Sequence, residues 1–387
     1  VKKITNKLFN WASIIEANTT EQAIETSSMP FVFPHVALMP DAHLGMGSTV
    51  GSVVPTEGAI MPACIGVDIG CGMMAIKTQF KKEQFIEKPL KELRQQIERA
   101  IPLSAGRYND KIVETAKPKI EELEGTAPID FDGHVKTDWR LHLGTLGSGN
   151  HFIEISHDED DNVWLFLHSG SRGIGNRIAM KHIEIAQNFA DKYFIQLTNK
   201  DLAFFVEGTK EFSRYIAEMN WAQRFAYLNR EEMMDRVIRQ VNEFMGEVVT
   251  PLETVNCHHN FTQQEQHWGK NLWITRKGAI SANKNQLGLI PGSMGTDSYV
   301  VEGLGYAPSF NSAPHGAGRV YSRSAARKEF TQEQLEVAME GIEYRKTDAF
   351  IDEIPHAYKD INVVIKDAKE LVKVKHKLNQ IINVKGD

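Results

Sequence analysis

The chain has little that would staple it or anchor it. Cysteine occurs only three times in 387 residues, as Cys64, Cys71 and Cys257. That is no disulfide framework, and it suits a reducing compartment where thiols stay available to metals. Long apolar runs are missing: the longest stretch, residues 50–71, is interrupted by Pro55, Glu57, Gly58 and Pro62 and cannot span a bilayer. Near the start, Lys2 and Lys3 are followed by Asn6, Lys7 and Asn10, not by the apolar core of a secretory signal. A cytoplasmic protein is the expectation. Excess positive charge is also lacking. The formal net charge is −6, so a nucleic-acid site would have to be a local basic patch on an acidic body. No G-x-x-x-x-G-K-[ST] phosphate loop occurs. Nor does a K-x-D-G string; the nearest, Asp130-Phe131-Asp132-Gly133, has no lysine. A nucleotide activated covalently here needs a nucleophile other than lysine.

What is present is ample for a large core: 42% of residues are hydrophobic and 24% charged, which excludes a disordered or fibrous chain. Residues 31–75 read as short strands separated by Gly and Pro. Leu90, Leu93, Ile97 and Ile101 give residues 83–101 helical spacing. Residues 104–140, polar and carrying Pro118 and Pro128, read as a long peripheral loop or excursion. Residues 163–167 read as a buried strand entering a Gly-rich turn, with a helix from about Asn176. Residues 203–250 are the most helical stretch, and Phe212, Tyr215, Ile216, Met219, Phe225 and Leu228 are expected to pack in the core. Strands alternating with long helices make the class mixed α/β or α+β. Without repeats or a flexible linker, residues 1–387 read as one domain.

The chemistry sits in glycine-rich turns. Pro40-Asp41-Ala42-His43-Leu44-Gly45, Val67-Asp68-Ile69-Gly70-Cys71-Gly72, Gly147-Ser148-Gly149-Asn150-His151-Phe152 and His168-Ser169-Gly170-Ser171-Arg172-Gly173 come first. Asn256-Cys257-His258-His259-Asn260, Pro291-Gly292-Ser293-Met294 and His315-Gly316-Ala317-Gly318-Arg319 follow. Glycine lets a backbone approach a ligand closely, and its repeated pairing with His, Asp and Cys suits a site for metal and phosphate. Asp68 and Cys71, three apart, can aim a carboxylate and a thiolate at one ion. His151, His168 and His259 can complete the shell. Five ligands exceed one tetrahedral ion, which points to two ions sharing Cys71. Such a donor set by itself would favour zinc. His315 leads a Gly-Ala-Gly turn whose N–H groups can hold phosphate oxygens, and a neutral imidazole is nucleophilic at cytoplasmic pH. Arg172, between glycines, is a phosphate candidate. Arg319, Arg323 and Arg327 form an i, i+4, i+8 row on an expected helix from Arg319, and such a row can meet a nucleic-acid backbone.

Taken in order, these strings resemble the RtcB family of RNA-splicing and repair ligases. The likeness runs from about Met29 to Lys385-Gly386 and includes Arg276-Lys277-Gly278-Ala279 and Ile354-Pro355-His356-Ala357-Tyr358-Lys359-Asp360. It implies a single α/β domain with a deep site for two Mn²⁺ ions and GTP. By motif, Asp68, Cys71 and His151 would hold one ion and Cys71, His168 and His259 the other. His315 matches the guanylylated histidine, with Asp41 in a motif near it. The nucleotide pocket would comprise Asn150, His151, Phe152, Ile153, Glu154, His259, Asn260, Pro291, Gly292, Ser293, Met294, Ser298, His315, Gly316, Ala317, Gly318 and Lys385. Glu154 would read the guanine edge. The partners would be RNA ends carrying a 2′,3′-cyclic phosphate or 3′-phosphate and a 5′-hydroxyl, with an activating protein as a further candidate. Two positions depart from the expected pattern: Pro314, where a serine would precede the nucleophile, and Met46, where lysine is frequent. Two other functions compete, a cyclic phosphoesterase that does not ligate and a non-catalytic RNA-binding paralogue. Only ligation needs both His315 and a guanine pocket.

Overall fold

The computed structural model of the chain describes residues 1–129 and 131–387, so Asp130 of the Asp-Phe-Asp-Gly string lies outside the described residues. Two large sheets form the frame. One has seven antiparallel strands in the order Glu253–His258, Gly72–Lys81, Asn162–Ser169, Phe152–His157, Val372–Val384, Ser298–Gly303, Leu287–Ile290. The other has six, in the order Lys2–Thr5, Leu8–Asn10, Val36–His43, Val50–Thr56, Lys270–Lys277, Asn260–His267. The architecture is the expected mixed α/β class.

Side chains alternate across a strand, and both faces of the seven-stranded sheet are covered. Met73, Ala75, Phe152, Trp164, Phe166 and Val255 point inward, where they meet Ala37, Met39, Val53, Leu272 and Ile274 of the six-stranded sheet. Met74, Ile76, Ile153, Ile155, Leu165 and Leu167 point outward, against Leu93 and Ile97 of one helix and Met233, Met234, Val237 and Val241 of another. Burying a side chain such as Phe166 contributes about 1.5–3 kcal/mol. The second of these helices, Lys210–Met245, has 36 residues. Thr209 caps it by accepting from Phe212 N (3.3 Å), and Gly246 ends it at φ 71°. No helix among the described residues is long and apolar enough to cross a membrane.

Local expectations met physical limits in three places. Residues 83–101 form two helices, Lys82–Ile86 and Leu90–Ala100, because Pro89 lacks an N–H and constrains the residue before it. Residues 104–140 are no bare loop: they contain the helices Lys117–Thr126 and Phe131–Val135, and bury Ile120, Leu123 and Trp139 against Trp221 and Phe225. The arginine-bearing helix starts at Arg323, capped by Ser322, so Arg319 precedes it. The strand at 163–167 extends over Asn162–Ser169, and the helix expected near Asn176 spans Ile174–Lys192.

Candidate active site

One register row explains why distant motifs converge. Phe152 pairs with His168, His168 with Met73, and Met73 with Cys257. All four lie on the inward face. Two residues beyond the row, His259 N donates to Cys71 O (2.8 Å), so Cys71 and His259 emerge on that same face at the sheet's end. His151 sits just before its strand and reaches the cluster from the turn. Glycine is required where the turns crowd: a Cβ at Gly170 would lie 2.1 Å from Asp68 Oδ2.

The five ligand candidates form two groups, Asp68–Cys71–His151 and Cys71–His168–His259, and within each group the ligand atoms lie within 4.8 Å of one another. Cys71 Sγ is 3.4 Å from His151 Nε2 and 3.3 Å from His168 Nε2. His151 Nε2 is 3.3 Å from Asp68 Oδ2. Their outer hydrogen bonds fix the tautomers. His151 Nδ1 donates to Leu146 O (3.0 Å) and His168 Nδ1 to Asn150 O (3.1 Å), because a carbonyl can only accept. His259 Nδ1 faces Asn260 Oδ1 (3.2 Å), an oxygen that also accepts from Gly278 N. In the neutral rings all three Nε2 atoms therefore present lone pairs, and those of His168 and His259 face each other at 3.0 Å. Opposed lone pairs repel unless a cation lies among them, so this donor set fits bound metal. Burial holds His168 and His259 well below the usual histidine range, with neighbouring histidines adding to the effect. It also raises the Cys71 thiol, helped by Asp68. Against the effect of burial, a proton on His151 Nε2 in the absence of metal, together with Ser171, holds the Asp68 carboxyl well below its ordinary range. Ser171 does so with its N–H (2.9 Å) and hydroxyl (2.7 Å).

His315 stands beside this cluster, its ring centroid 4.5 Å from that of His259. Asp41, fully buried, takes its Nδ1 at 2.6 Å, and the same oxygen accepts from His315 N (3.1 Å) and Gly316 N (3.2 Å). A carboxylate oxygen among three N–H groups fixes the proton on Nδ1 and leaves Nε2 with a free lone pair. Gly318 permits this packing, since at φ 78° its missing Cβ would meet Asp41 O at 2.3 Å. A cavity of about 310 Å³ opens in front, lined by Asp68, His168, His259 and His315. Asn150, Phe152, Glu154, Asn260, residues 291–294, Gly316, Ala317, Gly318, Arg319 and Lys385 complete the expected part of its wall.

A model of the family described as tRNA-splicing ligase RtcB matches residues 22–386. The chain belongs to the RtcB family. It is 46% identical to the RNA-splicing ligase RtcB of Escherichia coli (strain K12) over 388 residues, covering 96% of this chain and 95% of that protein. The tRNA-splicing ligase RtcB of Pyrobaculum aerophilum shares 31% identity over 424 residues, 91% of this chain and 87% of its own.

Within this RtcB-family site, His151, Ile153, Ser298 and Arg172 lie off the cavity wall, His151 being turned into the ligand cluster, and Arg319 reaches the wall already engaged. Ile153 points to the outer core, as strand alternation dictates after Phe152. Ser298 is buried beneath the 291–294 turn and accepts from Gly292 N (3.4 Å). Arg172 lies behind the His151 turn, where its Nε donates to Thr145 Oγ1 (2.8 Å). Arg319 does line the cavity, but Tyr321 O, Glu353, Tyr358 OH and Asp352 O already accept from it. Met46 also lines the wall, half-exposed, while Pro314 pairs with Ala279 at the end of a short strand.

Sequence reasoning missed several wall residues. Lys277 donates to Met46 O (2.5 Å) and Ala63 O (3.1 Å), and burial lowers it to about 8. His43, lowered by burial to about 4, bonds Asp41 O. Glu353 gathers Lys385 (3.3 Å), Arg319 and Tyr358 around one buried carboxylate. The adjacent Ile354-Pro355-His356-Ala357-Tyr358-Lys359-Asp360 string was the available signal for it.

Proposed function

We propose that this chain is an RNA ligase that uses GTP and two Mn²⁺ ions to join RNA 2′,3′-cyclic phosphate or 3′-phosphate ends to 5′-hydroxyl ends, through guanylylated His315. The observation that carries the reading is the Asp41–His315 pair, its free Nε2 facing a cavity shared with two histidine ligands. Asp68, Cys71 and His151 would hold one ion and Cys71, His168 and His259 the other. When bound, the ions would neutralise phosphate oxygens in the manner general to two-metal phosphate chemistry.

His315 Nε2 attacks the α-phosphorus of GTP; the N–P bond forms, the α–β phosphoanhydride breaks, and pyrophosphate leaves. Asp41 stabilises the positive charge that builds on the ring and holds the Nδ1 proton throughout. Water opens a cyclic RNA end to a 3′-phosphate. An oxygen of that phosphate takes the guanylyl group, giving RNA-3′-pp-5′-G and returning the lone pair to His315. The 5′-hydroxyl of the second end then attacks the RNA 3′-phosphorus, loses its proton and expels GMP.

Glu154 supports the choice of guanine. One of its oxygens accepts from Asn383 Nδ2 (3.1 Å), and the other is buried without a partner. Two acceptors match the N1–H and N2–H of guanine, whereas adenine offers an unprotonated N1. The test is incubation with Mn²⁺ and α-labelled GTP followed by denaturing electrophoresis. A labelled band that acid releases and base does not is expected. Failure of any label to attach under these conditions would sink the reading.

A further inference from the structure

The helix Lys210–Met245 brings two polar residues, Asn229 and Arg230, beneath the five ligand candidates, and both are 0% exposed. A buried guanidinium is costly to desolvate, and no carboxylate lies within ion-pair distance of Arg230 among the described residues. Its partners are neutral. Nη1 donates to Gly70 O (2.9 Å) and Ser169 O (3.2 Å) and Nε to Asn256 Oδ1 (2.8 Å), while Nη2 packs 3.1 Å from His258 Nδ1, which itself donates to Gly70 O (2.8 Å). Gly70 immediately precedes Cys71, Ser169 follows His168, and His258 precedes His259. The contacts at Gly70, Ser169 and His258 therefore adjoin ligands, while Asn256 lies three residues before His259.

Asn229 does the same for the other half of the cluster. Its Oδ1 accepts from Gly144 N (2.8 Å) and Thr145 N (3.2 Å), and its Nδ2 donates to Thr145 O, Ser169 Oγ and Gly170 O, each at 3.2 Å. The next carbonyl along, Leu146 O, accepts from both His151 Nδ1 and Ser169 Oγ at 3.0 Å. Gly170 leads into Ser171, which holds Asp68.

The ligands come from chain segments far apart in sequence, and their lone pairs push those segments apart when no ion is present. We propose that Asn229 and Arg230 are positioning residues that clamp these segments, so that the ligands are preorganised before metal arrives. The inference rests on the metal reading above and adds residues that touch neither metal nor substrate. An ordinary polar core pair would stabilise the fold without affecting metal affinity, and this separates the two roles.

The experiment uses the full chain, stripped of metal and titrated with Co²⁺. Thiolate-to-cobalt absorbance reports bonding to Cys71, and thermal unfolding of the metal-free protein is measured alongside. Arg230→Lys keeps the charge but cannot span Gly70 O, Ser169 O and Asn256 Oδ1 together; Asn229→Ser is the milder second variant. Arg94→Lys is the control: Arg94 is 6% exposed and pairs with Glu98 and Glu343, neither of which adjoins a ligand. The Co²⁺ Kd is expected to rise about 10- to 100-fold in both clamp variants, while Arg94→Lys lowers Tm and leaves Kd unchanged. Clamp variants that bind Co²⁺ like the unmodified chain, whatever their loss of Tm, overturn the proposal. If the unmodified chain gives no thiolate band at saturating Co²⁺, the metal reading falls first and the clamp with it.

Discussion

Replacing Glu154 by glutamine keeps the shape of the side chain and removes only its capacity for charge. Burial raises its carboxyl to about 8, against the opposing pull of Lys385 and the Asn383 hydrogen bond. At pH 7 the group is mostly neutral, and ionising it costs about 1.4 kcal/mol, one unit below that value. A carboxylate meeting guanine N1–H and N2–H contributes about 2–5 kcal/mol in such a setting. The net advantage at pH 7 is then about 0.6–3.6 kcal/mol, or roughly 3- to 400-fold. Above pH 8 the ionisation cost vanishes and the full advantage appears. Below it, the advantage shrinks with each unit of pH and the neutral acid can donate to adenine N1, so discrimination narrows. Initial guanylylation rates with GTP and ATP, taken between pH 6 and 9, give a ratio in which other titrations cancel. The ratio should climb toward pH 8 and level off in the unmodified protein, and stay low and flat in Glu154→Gln. A variant that retains both the GTP preference and its pH dependence would refute the reasoning. Stability supplies a second readout with a definite sign. The folded value lies above the ordinary 4.5 of an unfolded chain, so stability is full below about 4.5 and is lost as pH rises toward 8. The Tm of Glu154→Gln should gain on that of the unmodified protein between pH 5 and pH 8.

The other predictions concern the nucleophile and the metal ligands. His315→Ala should abolish the covalent label while circular dichroism remains unchanged. Asp41→Asn should leave GTP bound but slow guanylylation by about 10²- to 10⁴-fold, since the Nδ1 proton and the developing charge lose their acceptor; a normal rate would remove Asp41 from the mechanism. Cys71→Ala should lose both ions by elemental analysis, because both ligand groups contain it; retention of two tight ions would break the shared-ligand assignment. Gly170→Ala should push Asp68 off Ser171 and weaken one ion at least about tenfold, with the Cys71–His168–His259 group still able to bind.

How far the site could be read from sequence depended on where its residues lie. Cys71, His151, His168 and His259 stood out because each adjoins glycine or a second chemical residue in a turn, where packing does not account for it. Their convergence was inferred from donor chemistry and supported by the family likeness; the physical cause is a strand register that no local pattern encodes. Ile153 was placed in the pocket with Phe152 as part of a motif, yet neighbours in a strand face opposite ways. The arginine row failed for a similar reason. Helical spacing was counted from Arg319, but Ser322 caps the helix one residue before Arg323. Asn229 and Arg230 were hidden more thoroughly. On an amphipathic helix a polar residue is expected to face solvent, and near residues 228–234 this helix is buried almost all round.

The net charge of −6 argues against nucleic-acid binding only if charge is counted without regard to place. Many of the chain's cations are interior: Arg230, Arg276, Lys277, Lys359 and Lys385 are all buried. Lys277 and Lys385 line the cavity along with Arg319 and Arg323, opposite Asp68, Glu154 and Glu353. Glu154 is raised to about 8 and so contributes little negative charge at neutral pH in the empty pocket. Glu353 is engaged by Lys385, Arg319 and Arg323 together. The four cations therefore outnumber the two charged carboxylates of the wall, and each divalent ion held at the Cys71 cluster would add to that positive charge. On this reasoning metal loading strengthens polyanion binding to the cavity. Retention of a short 3′-phosphorylated RNA by the metal-free chain should strengthen by tenfold or more when Mn²⁺ is added, with Cys71→Ala removing the gain. Equal retention with and without metal would place the RNA contacts on an exterior surface, away from the cavity.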